Sequence, residues 1–298
     1  MFRSSGAVPK EIPIQMMCKG TRILSSFLAL AGSVFVFSAA TSAAVIPAAA
    51  QSRFALGLAF DFASGDYGTG ITSDTATTSL IVGHYPTDRL DIELTIPYLY
   101  QTGSSTTSGG IRFGVPRGEE VTMGPPQFGS DARETEDSRQ GLGDLLLSVG
   151  YILLPESAAT PQVRTTAFVK FPTADETEGL GTGEYDFGGG VTLAKWIDRV
   201  YLFGGATAVF PGEGAGLGLK DFQTYEAGAG RLIGEKLLPS VSLWGATAPS
   251  AESSSLLEAR AKLSYQLSAS TGLLGYLAAG LADNSPDYAA GGSLFFNF

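Results

Sequence analysis

The stretch LDIELTIPYLY, residues 90–100, alternates apolar and polar side chains over its first seven residues and keeps apolar residues on one parity to its end. Every second position carries a large apolar residue: Leu90, Ile92, Leu94, Ile96, Tyr98 and Tyr100. Because successive side chains of a strand point to opposite faces of a sheet, this spacing predicts a β-strand with one fully apolar face. The segments 53–62 and 256–268 show the same alternation.

Segments of this kind recur along the chain after residue 50. We predict twelve strands, near residues 53–62, 76–85, 90–100, 141–154, 163–172, 184–196, 199–210, 222–233, 240–248, 256–268, 270–282 and 287–298. Mean hydropathy is +0.15 although 16 % of the residues are charged. No run after residue 50 reaches the ~20 apolar residues of a membrane-spanning helix, so the apolar content is divided among short strands.

The connections between the predicted strands alternate in length. Short pieces such as PTDR (86–89) follow the even-numbered strands, whereas mostly longer pieces rich in Gly, Ser, Thr and Asp follow the odd-numbered ones, the longest being 101–140. A β-sandwich also alternates in hydropathy, but it gives no reason for this segregation of loop lengths. The pattern therefore predicts a transmembrane antiparallel up-and-down β-barrel with about 12 strands, short periplasmic turns and a long extracellular loop 101–140.

Aromatic residues near the strand ends predict interfacial girdles on the lipid face. The set is Phe60, Phe62, Tyr85, Tyr98, Tyr100, Tyr151, Trp196, Tyr201, Phe210, Tyr265, Tyr288 and Phe298.

The chain also ends as a strand, with Leu294, Phe296 and Phe298 on one face. We expect this strand to pair with the first one, since a barrel leaves no edge exposed to lipid. We also expect its terminal aromatic to be the signal that the barrel-assembly machinery recognises.

The first 50 residues predict a cleaved signal peptide. Lys19 and Arg22 precede an apolar run from Ile23 to Phe37, and small residues follow as far as a cleavage site at 48–50. The alternative is an N-terminal membrane anchor, for which this run is short. With a signal peptide at 1–50 and the barrel domain at 51–298, we expect export to the outer membrane of a Gram-negative bacterium, with its lipids as surroundings.

Charge and composition exclude several classes of function. The first 50 residues carry four of the 19 Lys and Arg and one of the 29 Asp and Glu, which leaves 15 basic and 28 acidic residues. This acidic balance argues against nucleic acid as a partner. The single cysteine, Cys18, lies before the predicted cleavage site, so the barrel domain has no thiol for catalysis, a disulfide or a metal.

Inward-facing charged residues are the candidate functional residues. Strand alternation and hairpin register predict a cross-strand cluster of Asp144, Lys170 and Asp186 near the outer rim. Arg164 is expected lower down beside Asp91 and Glu93, and another strand presents Glu258, Arg260 and Lys262. These charges either form a constriction that selects solutes or pair with one another to hold a narrow barrel closed.

No enzyme chemistry is predicted. The only histidine, His84, falls beside a short periplasmic turn, away from the outer lipid face where a lipid-modifying enzyme would need its base. We expect no catalytic residue, no cofactor and no metal held by histidine.

Acidic residues in the loops, such as Asp175, Glu176 and Glu178, either remain solvated or bind a divalent cation. The piece GIRFGV (110–115) suggests a short strand or a plug.

The middle of the chain resembles an outer-membrane transporter family linked to meta-pathway phenol degradation. The family features are a G-L-G-D strand opening at 141–144, a P-T-x-D strand exit at 172–175, and a G-x-G at 181–183. The acidic ADETE (174–178) departs from the shorter turn usual in that family. The resemblance implies an outer-membrane barrel that passes small, aromatic or hydrophobic compounds, and it leaves the solute unidentified.

These observations predict an outer-membrane channel or transporter for small solutes. Two alternatives stay open: a non-transporting barrel with a structural or surface-interaction role, and, less favoured, an outer-membrane enzyme that acts on lipid.

Overall fold

The computed structural model describes residues 53–67, 72–102, 138–213, 218–250 and 253–298. The predicted signal peptide, the piece 110–115 and most of the loop 101–140 lie outside these residues. Within the described ranges, no helix has the length and apolar composition needed to cross a membrane.

The described chain folds as antiparallel strands joined in one sheet. The strands are β1 (Phe54–Gly65), β2 (Ser73–His84), β3 (Leu90–Gln101), β4 (Arg139–Leu142), β5 (Leu145–Leu154), β6 (Gln162–Phe171), β7 (Asp186–Ile197), β8 (Val200–Phe210), β9 (Phe222–Arg231), β10 (Leu237–Ala246), β11 (Leu256–Gln266), β12 (Thr271–Gly280) and β13 (Tyr288–Asn297). Strands that follow one another along the chain pair with each other, except that β4 and β5 both pair with β3 and not with each other.

Strands β4 and β5 are two halves of one barrel stave. Both pair with β3, and only Gly143 and Asp144 separate them. The N–H of Gly143 still donates to the carbonyl of Pro97 at 2.9 Å, so the ladder continues across the interruption. The barrel therefore has twelve staves, which confirms the predicted fold; the interruption inside 141–154 was not predicted.

The sheet closes between β1 and β13. Their register runs from Ala55 opposite Asn297 to Ser64 opposite Tyr288. Beyond the last ladder pair, the carbonyl of Phe298 accepts hydrogen bonds from the N–H groups of Arg53 at 3.1 Å and Phe54 at 3.0 Å. The final strand thus pairs to its last residue and leaves no open edge at this seam.

Large apolar side chains cover the outside of the barrel. In β1, Leu58 is 57 % exposed and Phe60 52 %, whereas Ala55 and Ala59 between the outward positions are 1 % and 5 % exposed. Small residues on the inner face let larger inward side chains reach across them. A side chain at Gly57, for example, would collide with the ring of Phe295. This apolar-out arrangement is that of a barrel surrounded by lipid.

The turns differ at the two ends. At one end the connections are short, and the tightest, Asp198–Arg199, joins β7 to β8. Asp198 has φ 53°, the left-handed conformation that a two-residue hairpin requires and that Asp tolerates. The opposite end carries the longer loops, among them the acidic loop 172–185. The predicted segregation of loop lengths is confirmed.

Three of the predicted girdle aromatics belong to the inner side instead. Tyr85 and Tyr201 are 5 % and 2 % exposed, and the partly buried Trp196 packs against a cluster of buried residues that contains Tyr201. The rings of Trp196 and Tyr201 are 4.7 Å apart, beside the tight Asp198–Arg199 turn. Position near a strand end was a poor guide here, because the parity of the strand decides which side a ring faces.

Candidate solute pathway

Charged side chains line the inner face of the barrel. Of the nine ionisable residues predicted for the lumen, Asp91 is partly buried and the other eight are buried. The eight are Glu93, Asp144, Arg164, Lys170, Asp186, Glu258, Arg260 and Lys262. A barrel of this strand number lies between small barrels filled by side chains and wide porins, so the pairing of these charges decides what the interior can do.

The first group, the outer cluster, comprises Asp144, Lys170 and Asp186. The Nζ of Lys170 lies 3.0 Å from Oδ2 of Asp144 and 2.9 Å from Oδ2 of Asp186. It also donates to Oγ1 of Thr182 at 3.1 Å. The compact ammonium group, with its three hydrogens, therefore bridges two carboxylates on neighbouring staves and one loop hydroxyl.

The second oxygen of each carboxylate in the outer cluster binds a loop. Oδ1 of Asp144 accepts the N–H groups of Thr173 and Ala174, each at 3.0 Å, at the exit of β6. Oδ1 of Asp186 accepts the N–H of Gly212 at 3.0 Å, in the loop after β8. The outer cluster thus holds two loops of the long-loop end against the barrel rim, and both oxygens of each carboxylate have a hydrogen-bond or ion-pair partner.

The second group, the inner cluster, comprises Asp91, Glu93 and Arg164. Nη2 and Nε of Arg164 donate to the two carboxylate oxygens of Asp91 at 2.5 and 3.3 Å. Nη1 of Arg164 donates to Oγ1 of Thr166 at 2.8 Å. The guanidinium fork therefore engages one carboxylate in a bidentate pair, the geometry that Arg favours.

Glu93 is the exception within the inner cluster. The residue is 93 % buried, yet no hydrogen-bond donor in the described part of the chain reaches Oε1. Asp91, two residues away on β3, adds a like charge, while the N–H groups of Arg164 point elsewhere. A buried carboxylate oxygen without a partner is costly, and such exceptions call for an explanation.

The third group spans β9 to β11. Lys262 forms an ion pair with Oε1 of Glu226 at 2.7 Å, and the Ser242 hydroxyl donates to the same oxygen at 2.6 Å. Arg260 pairs with Glu258 on its own strand at 3.1 Å. The guanidinium of Arg260 also lies 4.3 Å from the ring centre of Trp244, a cation–π contact. These contacts tie three adjacent staves together across the inner face.

Apolar side chains separate the outer and inner clusters. Leu146, Phe168, Val209 and Phe222 form a buried cluster across β5 to β9. Along the inward positions of β6, Phe168 therefore lies between Lys170 above and Arg164 below. On this side of the barrel an apolar level therefore separates two ionic levels.

Several of these contacting groups were not predicted from the sequence. Thr182 and the backbone N–H groups of Thr173, Ala174 and Gly212 sit in loops, where alternation gives no register. Trp244 and Ser242, in contrast, lie at inward positions of β10, and the alternation along that strand would have indicated that both face the lumen. Glu226 is buried on the inner face of β9, and Arg231, which has the opposite parity, is exposed at the short-turn rim.

The remaining candidate residues lie apart from the clusters. Nδ1 of His84 lies 3.1 Å from the carbonyl of Arg53, and its ring stacks on Phe54 at 4.6 Å, beside the short-turn end. In the acidic loop, the Thr177 hydroxyl donates to Asp175 at 2.7 Å and lowers the pKa of that exposed carboxyl. Within the described ranges no three acidic, His or Cys side chains converge as metal ligands.

The C-terminal residues lie on the outer face. Phe296 and Phe298 are 47 % and 69 % exposed, Leu294 has the same parity, and the ring of Phe298 stacks at 6.2 Å on Phe54. The intervening Phe295 is buried inside the barrel. The terminal aromatic is therefore accessible on the lipid side of the seam.

Comparison with solved structures finds outer-membrane barrels. The COG4313 outer membrane channel from Pseudomonas putida F1 aligns with a TM-score of 0.62 at 14 % identity, covering 88 % of this chain and 100 % of that one. At this identity the likeness establishes the fold. The NanC porin gives a TM-score of 0.49 at 9 % identity, covering 82 % of this chain and all of that one.

The toluene transporter TodX from Pseudomonas putida gives a lower TM-score, 0.41 at 10 % identity, covering 88 % of this chain and 95 % of that one. No curated protein matches the chain. A family model described as "Putative MetA-pathway of phenol degradation" matches residues 63–298. The chain belongs to that family and has the fold of a bacterial outer-membrane β-barrel.

Proposed function

We propose that the protein is an outer-membrane channel that passes small solutes, aromatic and other apolar compounds among them, through the barrel lumen. The observation that carries the proposal is the inner face, where ionic clusters alternate with the apolar cluster around Phe168 inside a closed barrel that is apolar outside. Membership of the phenol-degradation family supports an apolar or aromatic solute. The fold shared with an outer membrane channel supports passage through the lumen.

The lumen charges act in this proposal as a constriction. Asp144, Lys170 and Asp186 form its outer level, and Asp91, Glu93 and Arg164 its inner level. Glu258, Arg260 and Lys262 line the opposite wall. A solute that passes these levels exchanges water for fixed protein charges, so a channel of this kind selects by head-group charge and by size.

A second candidate function is a non-transporting structural barrel. The observation that favours it is the burial of the inward charged residues, nine of which are at most 8 % exposed. Mutually paired charges of this kind also suit a filled interior. We assign no catalytic role to any residue, and the place of His84 beside the short turns supports a non-enzymatic barrel.

Conductance separates the two candidates. Purified protein inserted into planar bilayers is expected to give discrete current steps, and liposomes containing it are expected to swell in solutions of small solutes. Heat-denatured protein is the control. The absence of both current and swelling would contradict the channel and leave the filled barrel.

Export and assembly complete the proposal. We infer that residues 1–50 direct secretion and that Leu294, Phe296 and Phe298 form the label read by the barrel-assembly machinery before insertion among outer-membrane lipids. The exposure of Phe298 supports such reading. Deletion of Phe298 is expected to lower the amount of folded barrel in outer-membrane fractions, with Phe298→Tyr as the aromatic control. Equal amounts for the deletion and wild type would contradict this role.

A further inference from the structure

The carboxylate of Glu93 is a free acceptor inside the barrel. The residue is 93 % buried, and among the described residues Oε1 has no hydrogen-bond partner. The carboxylates of the outer cluster differ from it, since each binds both Lys170 and backbone N–H groups.

The nearest basic residue does not satisfy Glu93. Arg164 directs Nε and Nη2 to Asp91 and Nη1 to Thr166, so these hydrogen bonds go to groups other than Glu93. With both carboxylates ionised, the two carboxylates and one guanidinium of the inner cluster carry a net charge of −1. Because Arg164 pairs with Asp91, the uncompensated negative charge is that of the ionised Glu93 carboxylate.

A second oxygen without a described partner lies on the same face of β3. Thr95 is the next inward residue of β3 and is fully buried, and its Oγ1 also has no partner among the described residues. Ser148 stands opposite Glu93 on β5, and Gly83 stands opposite it on β2. Gly83 has no side chain, and the groups nearest to where its Cβ would be are the Tyr85 hydroxyl at 3.3 Å and the Ala55 Cβ at 3.4 Å.

We infer that Glu93 and Thr95 form a binding site for one positively charged group, either a monovalent metal ion or the ammonium head of an apolar solute. A neutral hydroxyl group could fill the hydrogen bond of Oε1, but it would leave an ionised Glu93 carboxylate uncompensated in a desolvated interior, whereas a cation compensates it. Hard oxygen ligands and a nearby aromatic ring both suit such a cation. This inference deepens the proposed function, on which it rests, by giving the solute a head group.

The test uses three probes with the same ring and different head groups: benzylammonium, benzyl alcohol and benzoate. Binding to the purified full-length protein is measured by titration calorimetry. Benzylammonium is expected to bind about tenfold or more tightly than the other two, the factor that one charge-assisted hydrogen bond supplies. Glu93→Gln is expected to abolish this preference, and Thr95→Val to weaken benzylammonium binding by a smaller factor.

The matched control is Glu235→Gln, the same substitution at an exposed position of the β9–β10 turn, which is expected to leave binding unchanged. Competition with potassium chloride identifies the source of the charge. Displacement of benzylammonium assigns the site to inorganic cations as well, and no displacement assigns it to the ammonium head. Equal binding of benzylammonium and benzyl alcohol, or unchanged preference in Glu93→Gln, overturns the inference.

Two features keep the result decisive. If Glu93→Gln does not fold, the ranking of the three probes on wild type and the effect of Thr95→Val still decide. Binding is also independent of conductance. If the wild type binds benzylammonium but carries no current, the binding site is supported and the channel is overturned. If it carries current but shows no preference for benzylammonium, the channel is supported and the binding site is overturned.

Discussion

The outer and inner clusters have the same number of acidic and basic groups but differ in how their carboxylates are paired. Each places two carboxylates and one basic side chain inside the barrel. In the outer cluster Lys170 contacts both carboxylates, and loop N–H groups bind their other oxygens. In the inner cluster Arg164 is committed to Asp91, and Oε1 of Glu93 has no described partner.

The difference shows that the type of basic residue determines how many carboxylates it pairs with. The ammonium of Lys is a compact point charge that can sit between two acids, whereas the planar fork of Arg matches a single carboxylate. The outer cluster is therefore a structural clamp on two loops. The inner cluster has an acceptor to spare, which is the property of a site that receives something.

Lys170→Met should cause the largest loss. It leaves two buried carboxylates without their counterion, and breaking a buried pair of this kind costs about 3–5 kcal/mol. Denaturant unfolding of the protein in detergent measures the free energy of unfolding. Lys195→Met is the control, because its partly exposed pair with Glu156 at 3.4 Å should contribute about 1 kcal/mol or less. Equal losses in both variants would contradict a special role for the outer cluster.

Arg164→Met should cost somewhat less, about 3 kcal/mol, since Asp91 is partly buried and only one ion pair is broken. The same unfolding measurement applies, with the exposed Arg231→Met as the control. A loss no larger than that of the control would show that the bidentate pair is energetically unimportant.

Glu93→Gln should behave in the opposite way to the other acids of the two clusters. Because Oε1 accepts no described hydrogen bond, removing its charge should leave stability within about 1 kcal/mol of wild type or raise it. Asp144→Asn, which breaks an ion pair and disturbs two loop hydrogen bonds, should destabilise the barrel clearly. If both substitutions destabilise equally, the contrast between the clusters is wrong.

Thr182→Val should have a smaller effect. It removes one hydroxyl bound to Lys170 at 3.1 Å while both ion pairs remain, so about 1 kcal/mol is expected. Thr207→Val, another buried lumen threonine outside the cluster, is the comparison. An effect as large as that of Lys170→Met would mean that the loop, not the ion pairs, holds the cluster together.

Thr177→Val should have the smallest effect, on the pKa of Asp175. The hydroxyl lowers that pKa, so its loss should raise the pKa toward the ordinary value. A carboxyl with a lowered pKa in the folded state adds stability above its unfolded pKa and loses it as the pH falls through the folded value. Carboxyl NMR titration of the loop measures the shift, and an unchanged pKa would contradict the assigned cause.

Strand alternation and turn positions were sufficient to predict the closed barrel and which charges face inward. They placed Asp144, Lys170 and Asp186 at one level because hairpin register follows from the short turns, and they placed Arg164 near Asp91. They could not show that Arg164 would leave Glu93 unpaired, since a guanidinium chooses its partner through its rotamer. Loop partners such as Thr182 and Gly212 lie outside the strands, where no alternation of side chains indicates which way a residue faces. The inward orientation of Tyr85 and Tyr201 was missed because it depends on their parity at the strand ends.

The central claim is that solutes pass along the inner face, and single cysteines test it most directly. In a Cys18→Ser background, Ser148→Cys places a thiol inside the barrel opposite Glu93. Val149→Cys places a thiol on the outer face, where Val149 is 40 % exposed. A charged, water-soluble thiol reagent applied during bilayer recording should reduce the current through Ser148→Cys and leave Val149→Cys unchanged. No reduction in Ser148→Cys, or the same reduction in both, would contradict a solute pathway through the lumen.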